Sequence, residues 1–292
     1  MSMKVINPGA LTTVQDRGRF GYQSKGVRVC GVMDAMAYSA AIERAGGKYG
    51  DAVLEMTLFG GTYVFEDETV FALSGADMDP QLNGKPCSMD SRISAKAGDK
   101  LVLGFAKAGC RTYLAVAGGI DVPEVMGSRS TDVKCAIGGM EGRALRTGDV
   151  VPVGAAEALK QPAVFPERRT FPDEIVIRAI PGPQDDMFTR KGLETFFGTP
   201  YLVSENSDRM GYRLAGEKVE SINGTDIISD GIVFGSVQIT AEGLPIILMA
   251  DRQTTGGYAK IATVISADLP LLAQARPGNT VRFKKVNLED IR

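Results

Sequence analysis

Four segments of this chain place charged and hydroxyl side chains directly beside glycines. They are TTVQDRGRFGY (12–22), GSRSTD (127–132) with GGMEGRAL (138–145), SDRMGYRL (207–214) and ADRQTTGGY (250–258). Glycine lets a backbone approach a ligand closely, and turns point N–H groups outward. Arginine binds carboxylate or phosphate with two parallel hydrogen bonds. Together these segments are suited to a small planar anion, or to the polarised oxygen of a urea-like or carbamoyl group.

Each segment taken alone has a plainer interpretation. Aspartate and arginine beside glycine often form a structural turn, in which the aspartate accepts backbone N–H bonds and the arginine is solvated. The structural interpretation is strongest for the tyrosines of these segments, Tyr22, Tyr212 and Tyr258, which are suited to the core or edge of a barrel with an exposed hydroxyl. We favour function because four such segments occur in one chain.

The composition excludes much other chemistry. The 292 residues contain no histidine, so a Ser-His-Asp triad, a Cys-His pair and a histidine-ligated metal are excluded. The four cysteines have no C-x-x-C spacing, and no metal site is expected. Acid–base work must therefore fall to Asp, Glu, Lys, Tyr or the substrate. The chain also lacks the G-x-x-x-x-G-K-[ST] and G-x-G-x-x-G nucleotide motifs.

The charge balance indicates which partners to expect, and the hydropathy indicates where the protein is located. Lys and Arg number 33 and Asp and Glu 35, a net charge of −2, which gives no reason to expect nucleic acid or an anionic membrane. No apolar run has the length of a membrane span, and the N-terminus lacks a signal-peptide pattern. We predict a cytoplasmic protein.

The elements that must position these segments are mostly strands. Short apolar runs separated by glycine turns, such as 62–65, 70–73, 100–103, 175–177, 236–239 and 246–249, predict a mainly β fold with a few helices. Asp34 should cap a helix that ends near Ala45 at Gly46-Gly47. Two further helices are predicted from about Gln184 to Phe197 and from Asp268 to Gln274.

The chain is predicted to consist of two related, barrel-like β-rich halves. Residues 1–155 form the first half, 156–172 a proline-containing linker and 173–292 the second half. Three pairs of segments resemble each other in the same order: 14–26 with 206–216, 59–77 with 234–251, and 95–104 with 275–284. This order suggests a degenerate internal duplication, the alternative being chance similarity of glycine-turn hairpins.

Six ordered motifs resemble the allophanate hydrolase subunit 2 family, also called the KipA-like or biotin-dependent carboxyltransferase family. They are TTVQDRGRFGYQSKGV, GVMDAMA, GCRTYLAVAGGIDVPEVMGSRSTD, GGMEGRAL, SDRMGYRL and DRQTTGGYAKIATVISADLPLLAQARPGNTVRF. The resemblance runs from about Pro8 to Phe283 and implies a cyclophilin-like β-barrel fold. The sequence departs from the family pattern at 44–50, at Cys30 and at 59–61.

The resemblance implies three alternative functions. The first is the C component of an ATP-dependent 5-oxoprolinase, a hydrolase that opens 5-oxoproline to glutamate with a KipI-like B component and a separate lactam-utilisation A component. The second is the carboxyltransferase part of a biotin-dependent urea or amide carboxylase, with carboxybiotin carried by a partner. The third is a non-catalytic scaffold for a KipI-like kinase inhibitor. We favour the first, with ATP used by the complex and no activity from the isolated chain.

Residue type and family motif together predict the site. The predicted catalytic residues are Arg129, Asp132, Asp16 and Arg17. The predicted substrate-binding residues are Ser128, Thr131, Asp34, Arg209, Tyr212, Asp251, Arg252, Thr255 and Gly257. We expect Arg129 and Arg17 to clamp carboxylate or phosphoryl oxygens, and the hydroxyls of the 127–132 segment to donate to an amide oxygen. Either Asp132 or Asp16 is expected to orient water or accept a proton. In the carboxyl-transfer alternative, Asp34, Arg129 and Thr255 bind the ureido ring and carboxylate.

Overall fold

A computed structural model describes residues 1–156 and 169–290 of the chain. These residues form two compact units. The first comprises Met1–Phe20 and Cys30–Phe171, and the second Gly21–Val29 and Pro172–Arg292. The predicted linker at 156–172 lies for the most part outside the described residues. The predicted halves 1–155 and 173–292 stay a prediction.

The first unit is built from two antiparallel sheets. Its strands are β1 (Ser2–Asn7), β2 (Leu11–Gln15), β3 (Val53–Thr57), β4 (Thr62–Phe65), β5 (Thr69–Gly75), β6 (Gln81–Leu82), β7 (Lys85–Pro86), β8 (Arg92–Ala95), β9 (Lys100–Val102), β10 (Arg111–Val116) and β11 (Val150–Pro152). One sheet has the order β11-β1-β4-β9-β6-β7 and the other β2-β3-β10-β5-β8. The predicted strands at 62–65, 70–73 and 100–103 are confirmed.

Strand β10 shows how the layers are arranged, because it is buried on both faces. Leu114 and Val116 belong to the main apolar core, which contains side chains from both sheets. Tyr113 and Ala115, which alternate with them, belong to a second cluster with the first helix. A strand buried on both faces reads as a continuous apolar run, as the TYLAV sequence does.

The first helix, α1 (Ala35–Ala45), begins and ends where the sequence predicts. The Asp34 carboxylate accepts hydrogen bonds from the backbone N–H groups of Met36 and Ala37. Gly46, with φ of +81°, ends the helix in the left-handed conformation that glycine adopts without strain. The alanine-rich face of α1 is buried against β5 and β10.

The second unit contains a closed seven-stranded barrel and a two-stranded ribbon. Its strands are β12 (Glu174–Pro181), β13 (Tyr201–Val203), β14 (Gly211–Ala215), β15 (Asp226–Gly231), β16 (Ser236–Ile239), β17 (Pro245–Leu248), β18 (Thr255–Tyr258), β19 (Lys260–Val264) and β20 (Thr280–Lys285). The barrel order is β12-β19-β16-β17-β14-β13-β20, and β15 pairs with β18. Ile175, Ile177 and Ala179 alternate inward along β12, as a half-buried strand requires.

Two helices lie in the second unit, α2 (Arg190–Gly198) and α3 (Leu269–Leu272). The prediction that a helix begins at Gln184 is wrong. A short 3-10 turn at Asp185–Met187 comes first, after which Phe188 is extended and bridges Ser221. Thr189 then caps α2 through the N–H of Gly192. The helix near 268–274 is confirmed, although it is shorter than predicted.

The strand pairing differs between segments that resemble each other in sequence. Within 59–77, β4 and β5 belong to different sheets, whereas β16 and β17 within 234–251 pair directly. Asp16 follows strand β2, and Asp208 precedes strand β14. The internal duplication stays a prediction. The prediction of a mainly β fold with few helices is confirmed, and among the described residues only the second unit forms a closed barrel.

Across residues 1–156 and 169–290, none of the helices has the length and apolar character that crossing a membrane requires.

Candidate functional site

The Asp16 carboxylate organises the polar segment of the first unit. Its Oδ1 accepts hydrogen bonds from the Ser128 hydroxyl at 2.7 Å, the Ser130 hydroxyl at 2.5 Å and the Gly18 N–H at 2.9 Å. Its Oδ2 accepts the Arg129 N–H at 2.6 Å. The side chain is almost fully buried. Both oxygens are therefore engaged by the protein, which favours a positioning role over the predicted role as a base.

The serine hydroxyls are also turned inward. The Ser128 hydroxyl accepts the Ser130 N–H, and the Ser130 hydroxyl accepts the Asp16 N–H. The Thr131 hydroxyl donates to the Val14 carbonyl at 2.9 Å. All three side chains are buried. In this structure the hydroxyl protons of Ser128 and Thr131 bind acceptors in the protein, and their donation to a substrate oxygen stays a prediction.

Arg129 is not the free clamp that the sequence suggests. Its Nε donates to the Val122 carbonyl, its Nη1 to Glu124 at 2.5 Å and its Nη2 to Asp121 at 3.3 Å. The side chain is 29% exposed. An incoming anion would have to displace two carboxylates, so the geometry argues against Arg129 as the main anion-binding group.

Asp132 caps its own turn. Its Oδ1 accepts the N–H groups of Lys134 and Cys135, and its backbone exchanges two hydrogen bonds with Ile137. The side chain is 2% exposed. This local arrangement favours a structural role over the predicted water-orienting one, since a buried carboxylate has no approach for a substrate.

Arg17 is the predicted residue that keeps its charge available. It is exposed, and its guanidinium carbon lies 4.7 Å from the ring centroid of Tyr49. Within the described part of the chain it makes no ion pair. Tyr49 in turn lies 6.3 Å from Tyr38, centroid to centroid. A guanidinium placed over an aromatic ring is positioned by that contact, while its N–H groups can still bind a carboxylate.

Asp16 and Arg17 thus face different environments. Burial, and after it the negative charge of Asp16, raises the pKa of Tyr38 above its ordinary value. The charge of the buried Asp16 carboxylate acts on a side chain inside the unit, whereas the neighbouring Arg17 is exposed. The Asp-Arg pair therefore separates a positioning group from a binding group.

Each of the two units contains a cavity among its described residues. One of about 100 Å³ is lined by Gly46, Gly47, Lys48, Asp51, Gly118 and Ala155. It lies at the end of α1, where the sequence departs from the family pattern and where Tyr49 supports Arg17. The other, of about 450 Å³, is lined by parts of 218–226 and 241–243 and by none of the predicted site residues.

Asp34 is occupied as well. Besides capping α1, its carboxylate oxygens Oδ1 and Oδ2 accept hydrogen bonds from the Arg169 Nη1 at 3.0 and 2.9 Å. Its N–H donates to the Tyr113 hydroxyl, which donates to Glu55. Burial, followed by the charge of Glu55, raises the pKa of Tyr113 well above its ordinary value. Asp34 is fully buried, which favours a structural role, and the predicted substrate contact stays a prediction.

In the second unit, Arg209 and Asp251 form a buried two-pronged ion pair. The Arg209 Nε and Nη2 donate to the two carboxylate oxygens of Asp251 at 2.9 and 2.8 Å. The Tyr212 hydroxyl donates to backbone carbonyls of Ala273 and Ala275. The arrangement favours a barrel-stabilising role for these three residues over the predicted substrate binding.

The remaining predicted residues belong to the segment that leads into β18. Arg252 donates to the Met249 carbonyl and lies over the ring of Phe234 at 5.5 Å. Thr255 is exposed and Gly257 half-buried on the β15–β18 ribbon. The substrate-binding role of Thr255 and Gly257 stays a prediction.

The GGMEGRAL segment is held by a second two-pronged ion pair. Arg143 donates to both oxygens of Asp149 at 2.7 and 3.0 Å, and Asp149 also accepts the Arg146 N–H. The hydrogen bond from Arg143 lowers the pKa of the Asp149 carboxyl. A carboxyl with a lowered folded-state pKa stabilises the protein above its unfolded pKa of about 4, and the effect is lost as the pH falls through the folded value.

We therefore expect Asp149→Asn to reduce the acid sensitivity of the protein. The wild type should lose stability as the pH falls from about 5 through the lowered folded-state pKa, partly because Asp149 becomes protonated, and the variant lacks that contribution. The measurement is urea denaturation of both proteins across this range. Arg143→Met should reduce the pH dependence in the same direction, and parallel pH profiles for all three proteins would contradict the assignment.

The sequence analysis missed Arg19, Glu55 and Arg111. Glu55 and Arg111 are buried with 3.7 Å between Oε1 and Nε, and Arg19 is fully buried. The available signal was weak: Arg19 lies inside the 12–22 segment, three residues after Asp16 and of opposite charge. Among the described residues no cluster of three or more Cys, Asp or Glu side chains is placed to hold a metal ion.

Comparison with known proteins gives consistent matches. The family model described as carboxyltransferase domain, subdomain A and B, matches residues 25–285. The chain is 41% identical to the C component of 5-oxoprolinase from Escherichia coli K12, over 99% of this chain and 92% of that protein. It is 39% identical to the protein of the same name from Haemophilus influenzae, over 98% and 92%. The crystal structure of the K. lactis urea amidolyase matches 98% of this chain at 33% identity, with a TM-score of 0.92, but only 19% of that longer chain.

Proposed function

This chain belongs to the carboxyltransferase-domain family of subdomains A and B, and on that premise we propose that it is the C component of a 5-oxoprolinase. The observation that carries the proposal is its end-to-end similarity to the C components of known 5-oxoprolinases: 41% identity with 92% of the E. coli protein covered. The complex would open 5-oxoproline to glutamate with ATP, in the cytoplasm. Its partners would be a KipI-like B component and a lactam-utilisation A component.

The chemistry explains why several components and ATP are needed. Amide resonance makes an unactivated lactam slow to hydrolyse, and ATP supplies activation of the carbonyl oxygen. The described residues and the sequence motifs offer no conventional phosphate loop, so we assign ATP binding to a partner. The contribution of this chain is then to bind and orient the lactam, whose carboxylate needs a cationic partner.

Arg17 is our candidate for that partner. It is exposed, stacked on Tyr49 and, within the described residues, without an ion pair. Arg129 has two carboxylate partners and a carbonyl partner, so it is the weaker candidate. Asp16 and the serines of the 127–132 segment would hold the adjacent turn in shape.

We expect Arg17→Ala to raise the KM for 5-oxoproline about thirtyfold, which corresponds to the loss of about 2 kcal/mol of charged hydrogen bonding. The thermal midpoint should change little because Arg17 is exposed. The measurement is steady-state glutamate formation by the assembled complex. Arg129→Ala is the matched comparison and should change KM less than about threefold. A larger effect from Arg129 than from Arg17 would reverse this assignment.

The similarity to urea amidolyase supports a second candidate, carboxyl transfer from carboxybiotin to an amide nitrogen. The structural match has a TM-score of 0.92, although the identity is lower, at 33%. Biotin would then be attached to a partner. A third candidate is the non-catalytic scaffold for a KipI-like protein.

The deciding experiment uses this chain co-purified with the proposed KipI-like and lactam-utilisation components from the same organism. ATP-dependent release of glutamate from 5-oxoproline supports the first proposal. Biotin-dependent carboxylation of urea, with no glutamate released, would favour the second. A stable complex that is silent in both assays would favour the scaffold.

A further inference from the structure

Arg19 is a buried cation without a carboxylate partner among the described residues. It is 0% exposed. Its Nε donates to the Val125 carbonyl at 2.9 Å and its Nη2 to the Ser130 carbonyl at 2.9 Å. Its Nη1 is buried without a hydrogen-bond partner. Burying an unpaired charge is costly, so its presence calls for a role other than filling space.

The surrounding backbone is shaped to admit this guanidinium. Gly138 has a φ of +69°, and a Cβ at this position would clash with the Ser130 carbonyl oxygen and the Arg19 Nη2. The neighbouring Gly139 N–H donates to the Arg129 carbonyl at 2.9 Å. The 138–139 segment therefore closes over the 125–130 turn at the point where Arg19 binds it.

Asp16 and Arg19 act on the same turn with opposite charges. Asp16 accepts the Arg129 N–H and the hydroxyl protons of Ser128 and Ser130. Arg19 donates to the carbonyls of Val125 and Ser130. Donors of the turn thus face an anion and its acceptors face a cation. Both charges come from one short segment, three residues apart, so the turn is fixed relative to the intervening Arg17.

We propose that Arg19 is a positioning residue. Its guanidinium and the Asp16 carboxylate together fix the orientation of the 125–130 turn, which the substrate contacts when it binds beside Arg17. Lysine preserves the charge but lacks the planar fork, so it cannot bind two separated carbonyls as arginine does. The catalytic part of this inference rests on the proposed 5-oxoprolinase function. The structural part does not.

The test compares Arg19→Lys with Arg44→Lys. Arg44, in the last turn of α1, is also buried, and its Nε donates to the Asp90 carbonyl. Hydrogen exchange of the isolated full-length chain should be at least about tenfold faster at the amides of 128–131 in Arg19→Lys. In Arg44→Lys these amides should exchange at the wild-type rate. In the assembled complex, Arg19→Lys should lower kcat for 5-oxoproline about tenfold, with KM within about threefold.

The outcomes distinguish the positioning role of Arg19 from the proposed 5-oxoprolinase function. Wild-type exchange at 128–131 in Arg19→Lys would overturn the positioning role, whatever the activity. Faster exchange with unchanged kcat would also overturn it, because the turn would then be irrelevant to the reaction. If the wild-type complex releases no glutamate while Arg19→Lys still speeds the exchange, the 5-oxoprolinase proposal fails and the role of Arg19 in holding the turn stands.

Discussion

Replacing Asp16 with alanine is expected to lower the free energy of unfolding by about 3 kcal/mol and to lower kcat of the assembled complex about a hundredfold. The variant loses four hydrogen bonds at once and leaves the buried hydroxyls of Ser128 and Ser130 without their acceptor. A buried polar group that loses its partner costs its full desolvation free energy. The loss of activity follows because the turn beside Arg17 is no longer held.

Asp132→Ala is the matched control for this prediction. Asp132 is as well buried and lies in the neighbouring turn, and its carboxylate caps the N–H groups of Lys134 and Cys135 within that turn. We expect a loss of about 1 kcal/mol, typical of a lost cap, and a kcat within about threefold. Urea denaturation and glutamate release measure the two effects. If Asp132→Ala abolished activity while Asp16→Ala left it intact, the positioning role of Asp16 would be wrong.

Removing Asp251 is expected to destabilise the second unit by about 3 to 5 kcal/mol. The Arg209 guanidinium and the Asp251 carboxylate are 7% and 12% exposed and bind each other through two hydrogen bonds. In Asp251→Ala the cation stays buried without its main counter-charge, which is more costly than losing an exposed pair. Urea denaturation of the isolated chain measures the loss.

The control for this prediction is the exposed ion pair between Arg190 and Glu194, with exposures of 93% and 63%. Arg190→Ala should change stability by no more than about 0.5 kcal/mol. The double variant Arg209→Met, Asp251→Leu should recover most of the stability lost in Asp251→Ala, because neither charge is then left unpaired. A stable double variant with normal kinetics would support a structural pair. A stable double variant with a greatly raised KM would restore the predicted substrate-binding role.

Much of the local structure follows from the sequence because its causes are local. The runs at 62–65, 175–177 and 236–239 form strands, since short apolar runs between glycine turns have few other ways to bury their side chains. Helix α1 begins at the residue after Asp34 and ends before Gly46 because a cap and a left-handed glycine act within one turn. The start of α2 was misplaced because Phe188 is fixed by a distant bridge to Ser221.

The sequence also predicts which residues of the polar segments can form hydrogen bonds, but it does not predict the partners toward which their side chains point. Residue type says that Ser128, Thr131 and Arg129 can donate hydrogen bonds, and it leaves open whether the acceptor is a ligand or the protein. The tertiary structure decides this by bringing the 127–132 segment onto Asp16, more than a hundred positions away. The strand pairing and the burial of the Arg19 charge are likewise decided by the tertiary structure. The sequence by itself therefore determined the elements, the family resemblance and the stock of polar groups, whereas the fold alone decided which groups are consumed by internal bonds and which, like Arg17, stay available.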